Sequence, residues 1–176
     1  LQDNTTASNN TAVGYASLGA NTTGDRSIAV GSYTLDAQTT GRFNTAVGYN
    51  AGTEVTTGTH NTFLGDSSGA TTTTGINNVA VGQSALNANT TASNNTAVGM
   101  SALVANTTGT AGTAVGKSAL AANTTGTDNT GLGALALLGT TTGSNNVAVG
   151  RSALQANTTA NANTAVGFYA LTANTT

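Results

Sequence analysis

The chain has no cysteine, no proline and no tryptophan, and only 6% of its 176 residues are charged. Without cysteine there are no disulfides and no thiolate metal sites, and nothing marks a redox compartment. Globular domains carry about 25% charged residues, so this is not the surface of an ordinary soluble enzyme. The formal net charge of −2 offers no attraction for nucleic acid or for an anionic membrane surface. No apolar run approaches the roughly 18 residues of a membrane span, so no membrane insertion is expected. Aromatic residues are 4% of the chain. Gly, Ala, Asn and Thr dominate. Low charge alone would suit a disordered low-complexity tract, but the regular spacing of the apolar residues argues for order.

That spacing is a repeat. The glycine of an Ala-Val-Gly motif falls at Gly14, Gly31, Gly48, Gly65, Gly82, Gly99, Gly116, Gly133, Gly150 and Gly167, at one constant interval with no insertion or deletion. A structure that holds ten copies in one register is one that cannot absorb an extra residue. The residue before the glycine is Val, or Leu at Leu64 and Leu132. Two before it is Ala, except Phe63 and Gly131; three before it is always β-branched; four before it is Asn, except Ser27 and Gly112. Four after it is Leu, replaced by Gly52 and Gly69. Eight and nine after it is Thr-Thr in every copy, from Thr22-Thr23 to Thr175-Thr176, and then Gly or Ala. Other columns vary freely: the residue just after the glycine runs from Tyr15 through Asp66, Met100 and Lys117 to Phe168. Such a column faces solvent or a partner.

Gly, Asn and Thr-Thr recur too often to leave a helical window. Asn-Thr-Ala-Val-Gly instead alternates with period 2, with Thr and Val on one face and Asn and Ala on the other. The Thr-Thr segment reads as a second short strand, and glycines supply the corners. Each copy is therefore one coil of an all-β, parallel β-solenoid (a β-roll or β-helix) of ten coils, a single repeat array over residues 1–176. Like residues stack on like at about 4.8 Å per coil. Val and Leu ladders are expected to fill a narrow core, and Asn and Thr ladders to bond along the rod. One Val and one Leu per coil make a thin core. The small, apolar Ala column then suggests close approach of another chain, giving a homotrimer packed around the Ala-bearing face. Leu1 falls in the Leu column and Thr176 in the second Thr column, so the array reads as an excerpt of a longer fibre, open to end-to-end association.

The stretch "NNTAVGMSALVANTTGT", Asn94 to Thr110, resembles the NTAVGYxAL…NTTG repeats of phage and bacterial tail-fibre-like proteins, many of which end in an endosialidase-type intramolecular chaperone. This resemblance spans essentially the whole chain. More distantly, Asn78-Val79-Ala80-Val81-Gly82 is similar to the SVAIG motif in the head repeats of YadA-like trimeric autotransporter adhesins, whose repeat is shorter than the one here. The resemblance implies a trimeric, left-handed parallel β-roll in a surface-exposed fibre, at the cell surface or in a virion tail.

The chain offers no catalytic, cofactor-binding or metal-ligating constellation. His60 is its one histidine, in a variable column without repeating partners, and it reads as a solvated surface residue. Asp3, Asp25, Asp36, Glu54, Asp66 and Asp128 scatter over several columns, and no calcium-loop or phosphate-loop motif occurs. The reading is a non-enzymatic structural fibre. Asn-Thr-Thr triplets are N-glycosylation acceptors by pattern: Asn21, Asn89, Asn106, Asn123 and Asn157, with Asn4 and Asn174, and Asn9 and Asn94 besides. A stacked Asn ladder at a bend is the competing explanation, and a glycosylated extracellular filament the functional alternative. The Thr columns raise another, an ice-binding surface with outward Asn-x-Thr ranks such as Asn106 and Thr108. Tyr15, Tyr33, Tyr49, Phe168 and Tyr169 lie near the ends of the array, where they would pack at corners or stack on cell-surface glycans.

Overall fold

The computed structural model describes residues 1–175 and is all-β. Ten three-residue strands form one sheet: β1 (Thr11–Val13), β2 (Ile28–Val30), β3 (Thr45–Val47), β4 (Thr62–Leu64), β5 (Val79–Val81), β6 (Thr96–Val98), β7 (Thr113–Val115), β8 (Thr130–Leu132), β9 (Val147–Val149) and β10 (Thr164–Val166). They lie in sequence order, every pair parallel and each residue opposite its counterpart in the next copy, Ala97 against Ala114 for example. The chain is a β-solenoid with one strand per coil; coils are numbered here by their strands.

The Ala-Val-Gly glycine is the residue the coil cannot replace. All ten adopt φ between +125° and +137°, a conformation closed to L side chains. A Cβ on Gly99 would also sit 2.7 Å from the carbonyl oxygen of Gly116 in the next coil. From Gly31 to Gly167 the amide of each such glycine reaches back to the previous coil, as Gly99 N does to Val81 O at 2.7 Å.

Two expectations about the cross-section are corrected. The Thr-Thr segments are bends, not a second strand, although their amides still bond coil to coil, as in Thr107 N to Thr124 O at 2.9 Å. The Val column does not fill the core. Ala46 is 0% exposed and Val47 beside it 39%; the Ala column points inward and the β-branched and Val columns point out. The physical reason is width. The Leu column, which does point inward, occupies the space between the sheet and the opposite wall. At Gly131, where the column's usual methyl is missing, its ideal position lies 3.3 Å from Ala136 O and 3.5 Å from Leu120 Cδ1, so a methyl is already tight there and an isopropyl would overpack. The walls themselves touch: Ser17 Oγ donates to Ala29 O at 3.0 Å. The proposed trimer face on the Ala column is therefore the interior of the single chain.

The Leu residues hold an unexpected backbone. Leu18, Leu35, Leu86, Leu103, Leu120, Leu137 and Leu154 all have φ between +50° and +54°, where non-glycine residues are strained by roughly 1–2 kcal/mol each. Burial of the whole side chain compensates.

Candidate functional surfaces

Beside the Leu column the interior holds a column of small residues just before it, Ser17, Thr34, Ala85 and Ala102 among them, and two asparagine ladders. In the column before the strands, Asn61 N and Asn61 Nδ2 both donate to Asn44 Oδ1, at 3.0 and 3.2 Å, and Asn78 repeats this on Asn61. In the second column, Asn106 Nδ2 donates to Asn89 Oδ1 at 3.1 Å and Asn123 Nδ2 to Asn106 Oδ1 at 2.8 Å. The two ladders meet on one backbone oxygen: Gly109 O accepts from Asn95 Nδ2 and Asn106 Nδ2, both at 2.9 Å. Burying polar groups is tolerated because most of them find a partner along the rod.

This places the glycosylation candidates. Asn21, Asn89, Asn106, Asn123 and Asn157 are all buried, and each spends its side-chain nitrogen on the carbonyl three positions on, as Asn21 does on Gly24 O at 2.9 Å. That nitrogen is the atom a glycan would take, and a sugar there would hold the coil open. Asn174 is half-buried, whereas Asn4, Asn9 and Asn94 are exposed. Thr176, the last member of the second Thr column, lies outside the described residues. The Asn-x-Thr rank is corrected by the same burial: Asn106 points into the rod while Thr108 points out.

The Thr pair divides its work. The first threonine is half-buried in most coils, and its hydroxyl stitches coils together: Thr90 Oγ1 to Thr107 O at 3.2 Å, Thr107 Oγ1 to Thr124 O at 3.0 Å, Thr124 Oγ1 to Thr141 O at 3.1 Å. The second is exposed in every described coil.

The outer face of the sheet is a strip of Thr, Ile and Val beside a strip of Val and Leu, half-buried to exposed, with no charged residue in either column. The variable column after the glycine is largely exposed, as expected, and carries Asp66, Lys117 and Arg151.

Aromatics gather in the first coils. Tyr33 lies edge-on to Tyr15 at 5.3 Å and to Tyr49 at 6.1 Å between ring centroids. At the other end of the strands, Arg26 Cζ sits 5.4 Å over the Phe43 ring, and His60 stacks on Phe43 at 4.8 Å. His60 is exposed and its Nδ1 lies 3.1 Å from Thr59 Oγ1. Phe168 contacts Tyr169 and Arg151 near the other end. Among the described residues there is no pocket and no group of three or more acidic, His or Cys side chains positioned for a metal ion, and no helix long and apolar enough to cross a membrane.

No protein family, curated protein or solved structure matches this chain.

Proposed function

We propose that the chain is a stiff structural segment of an extracellular filament, of the kind that forms the shaft of a phage tail fibre or a bacterial surface adhesin. The observation that carries this reading is the unbroken register: ten strands pair at one constant offset, with no bulge and no inserted loop. Each coil is held by its neighbours through backbone and side-chain ladders, so stiffness is built in along one axis. A filament needs that property; a binding pocket or an active site would interrupt it.

Self-association belongs to this reading, as a homotrimer or as an end-to-end filament, and its side-by-side surface is the outer face of the sheet in place of the Ala column. Val13, Val47, Val115 and Leu132 are each more than a third exposed there, and a contiguous apolar strip of this kind marks an interaction surface. A partner with the same coil spacing matches it rung for rung, and another copy of the chain has that spacing. Adhesion to glycans is assigned to the variable columns, with the Tyr15–Tyr33–Tyr49 edge as the contact.

Light-scattering mass of the purified chain tests the association. The expected value is a multiple of 17.0 kDa. The double variant Val98→Lys/Val115→Lys is expected to return it to the single-chain mass with an unchanged β spectrum. A wild-type chain that stays single at high concentration would overturn the self-association, and α-helical or disordered spectra would overturn the rod.

A further inference from the structure

The second threonine of each pair is constant for a reason the fold does not supply. From Thr6 to Thr159 it recurs once in every copy and is exposed each time. Away from the apolar sheet face, the exposed column after the glycine drifts: it holds Tyr, Ser, Asp, Gln, Met, Lys, Ala, Arg and Phe. This one never changes. Among the described residues no Oγ1 of the column has a hydrogen-bond partner on the chain, whereas the adjacent threonine uses its hydroxyl in nearly every coil. Serine, common in other columns, never replaces it, so the methyl matters; valine never does, so the hydroxyl matters too. Strand propensity would keep the branch but would not keep the oxygen.

We propose that this double threonine strip is a water-ordering surface that adsorbs to ice. The first rank has its rotamer fixed by the bond from Oγ1 to the carbonyl of the next coil. The second presents a free donor and acceptor beside a methyl. The two ranks repeat at the strand spacing, about 4.8 Å, over about 43 Å of rod. Methyl groups restrict the orientations of the water next to them, and hydroxyls at fixed intervals anchor that layer. A periodic, rigid, uncharged surface of this kind fits a ligand that is itself periodic, and it is already organised before contact. A crystalline polysaccharide shares the periodicity, but the strip carries no aromatic ring for sugar faces to stack on. The ligand is therefore crystalline water. The inference is independent of the filament role, which rests on register and on the sheet face.

Ice growth in a nanolitre osmometer decides it. The wild-type chain is expected to hold the freezing point below the melting point and to facet the crystals. Thr91→Tyr/Thr108→Tyr is expected to lose that gap, and Met100→Tyr/Lys117→Tyr, on the variable column of the same coils, to keep it. Thr91→Ser/Thr108→Ser and Thr91→Val/Thr108→Val are each expected to narrow it, because each removes one of the two groups; this pair decides the matter should the tyrosine variants misfold. A wild-type gap no wider than that of an equal mass of albumin overturns the proposal. So do correctly folded Thr variants that match wild type, or retention on crystalline cellulose with no effect on ice.

Discussion

Coils 3 and 4 and coils 7 and 8 both depart from the repeat, and they do so in opposite ways. In coils 3 and 4 the departures compensate one another. Phe63 stands where other coils have Ala, and Gly52 and Gly69 stand where they have Leu. The Phe63 ring is fully buried and fills the volume of the missing leucines: a Cβ on Gly52 would lie 2.7 Å from Phe63 Cδ2, and one on Gly69 would run into the same ring. The polar ladder is rewired here as well. Val55 replaces an asparagine without leaving an orphan, Gln38 Oε1 accepts from Asn44 Nδ2 at 2.9 Å, and Thr72 Oγ1 accepts from Asn89 Nδ2 at 3.4 Å. In coils 7 and 8 nothing compensates. Thr140 interrupts the second ladder, and both its Oγ1 and the Asn123 Oδ1 below it are buried without a partner. Gly112 interrupts the first: its amide still donates to Asn95 Oδ1 at 2.8 Å, but it has no side chain to accept from Asn129. A solenoid absorbs a change of volume when the exchange is closed within touching coils, and it carries a cost when a polar chain is cut.

The largest expected effect breaks the first half of this contrast. Phe63→Ala opens a cavity that no leucine fills, and should cost about 3–5 kcal/mol in denaturant unfolding followed by circular dichroism. Adding Gly52→Leu and Gly69→Leu to that variant should recover most of the loss, a coupling that distant sites would not show. Gly69→Leu alone, with the ring in place, should cost about 1–3 kcal/mol by overpacking. The second half is sharpened by repair. Thr140→Asn should give Asn123 Oδ1 a donor and raise stability by about 1 kcal/mol. Gly112→Asn should reconnect the first ladder for a smaller gain, because a Cβ there lies 3.1 Å from Asn95 Oδ1 and must be accommodated. Smallest of all, His60→Ala removes one exposed stacking partner and should stay within about 0.5 kcal/mol of wild type.

Much of the architecture was legible as columns. The constant glycine, the fixed offset between copies and the strand at Thr-Ala-Val all follow from counting, because a stacked coil forces equal residues into equal places. The inward place of Leu18 and its equivalents is legible too, since a large apolar side chain that recurs in eight of ten copies of a Gly- and Asn-rich coil has nowhere else to go. The exchange at Phe63 was present in the sequence as a volume balance between two columns in neighbouring copies, although the exceptions read one at a time do not reveal it. The double Thr strip was visible as invariance, but its partner column was misjudged. Asn106 and Thr108 are separated by a single residue, and only in an extended segment would they share a face; the bend at Thr107–Thr108 turns one in and the other out.

The sequence by itself determined the period, the absence of helix and the stacking of like on like, because those depend on repetition and local backbone preference. It divided each strand into two faces but not into inside and outside, since Ala and Val are both apolar and alternation is symmetric. The tertiary structure made that choice. Between the sheet and the Leu column there is room for little more than a methyl, so the strand's alanine faces inward and the strand's valine and threonine are left on the surface.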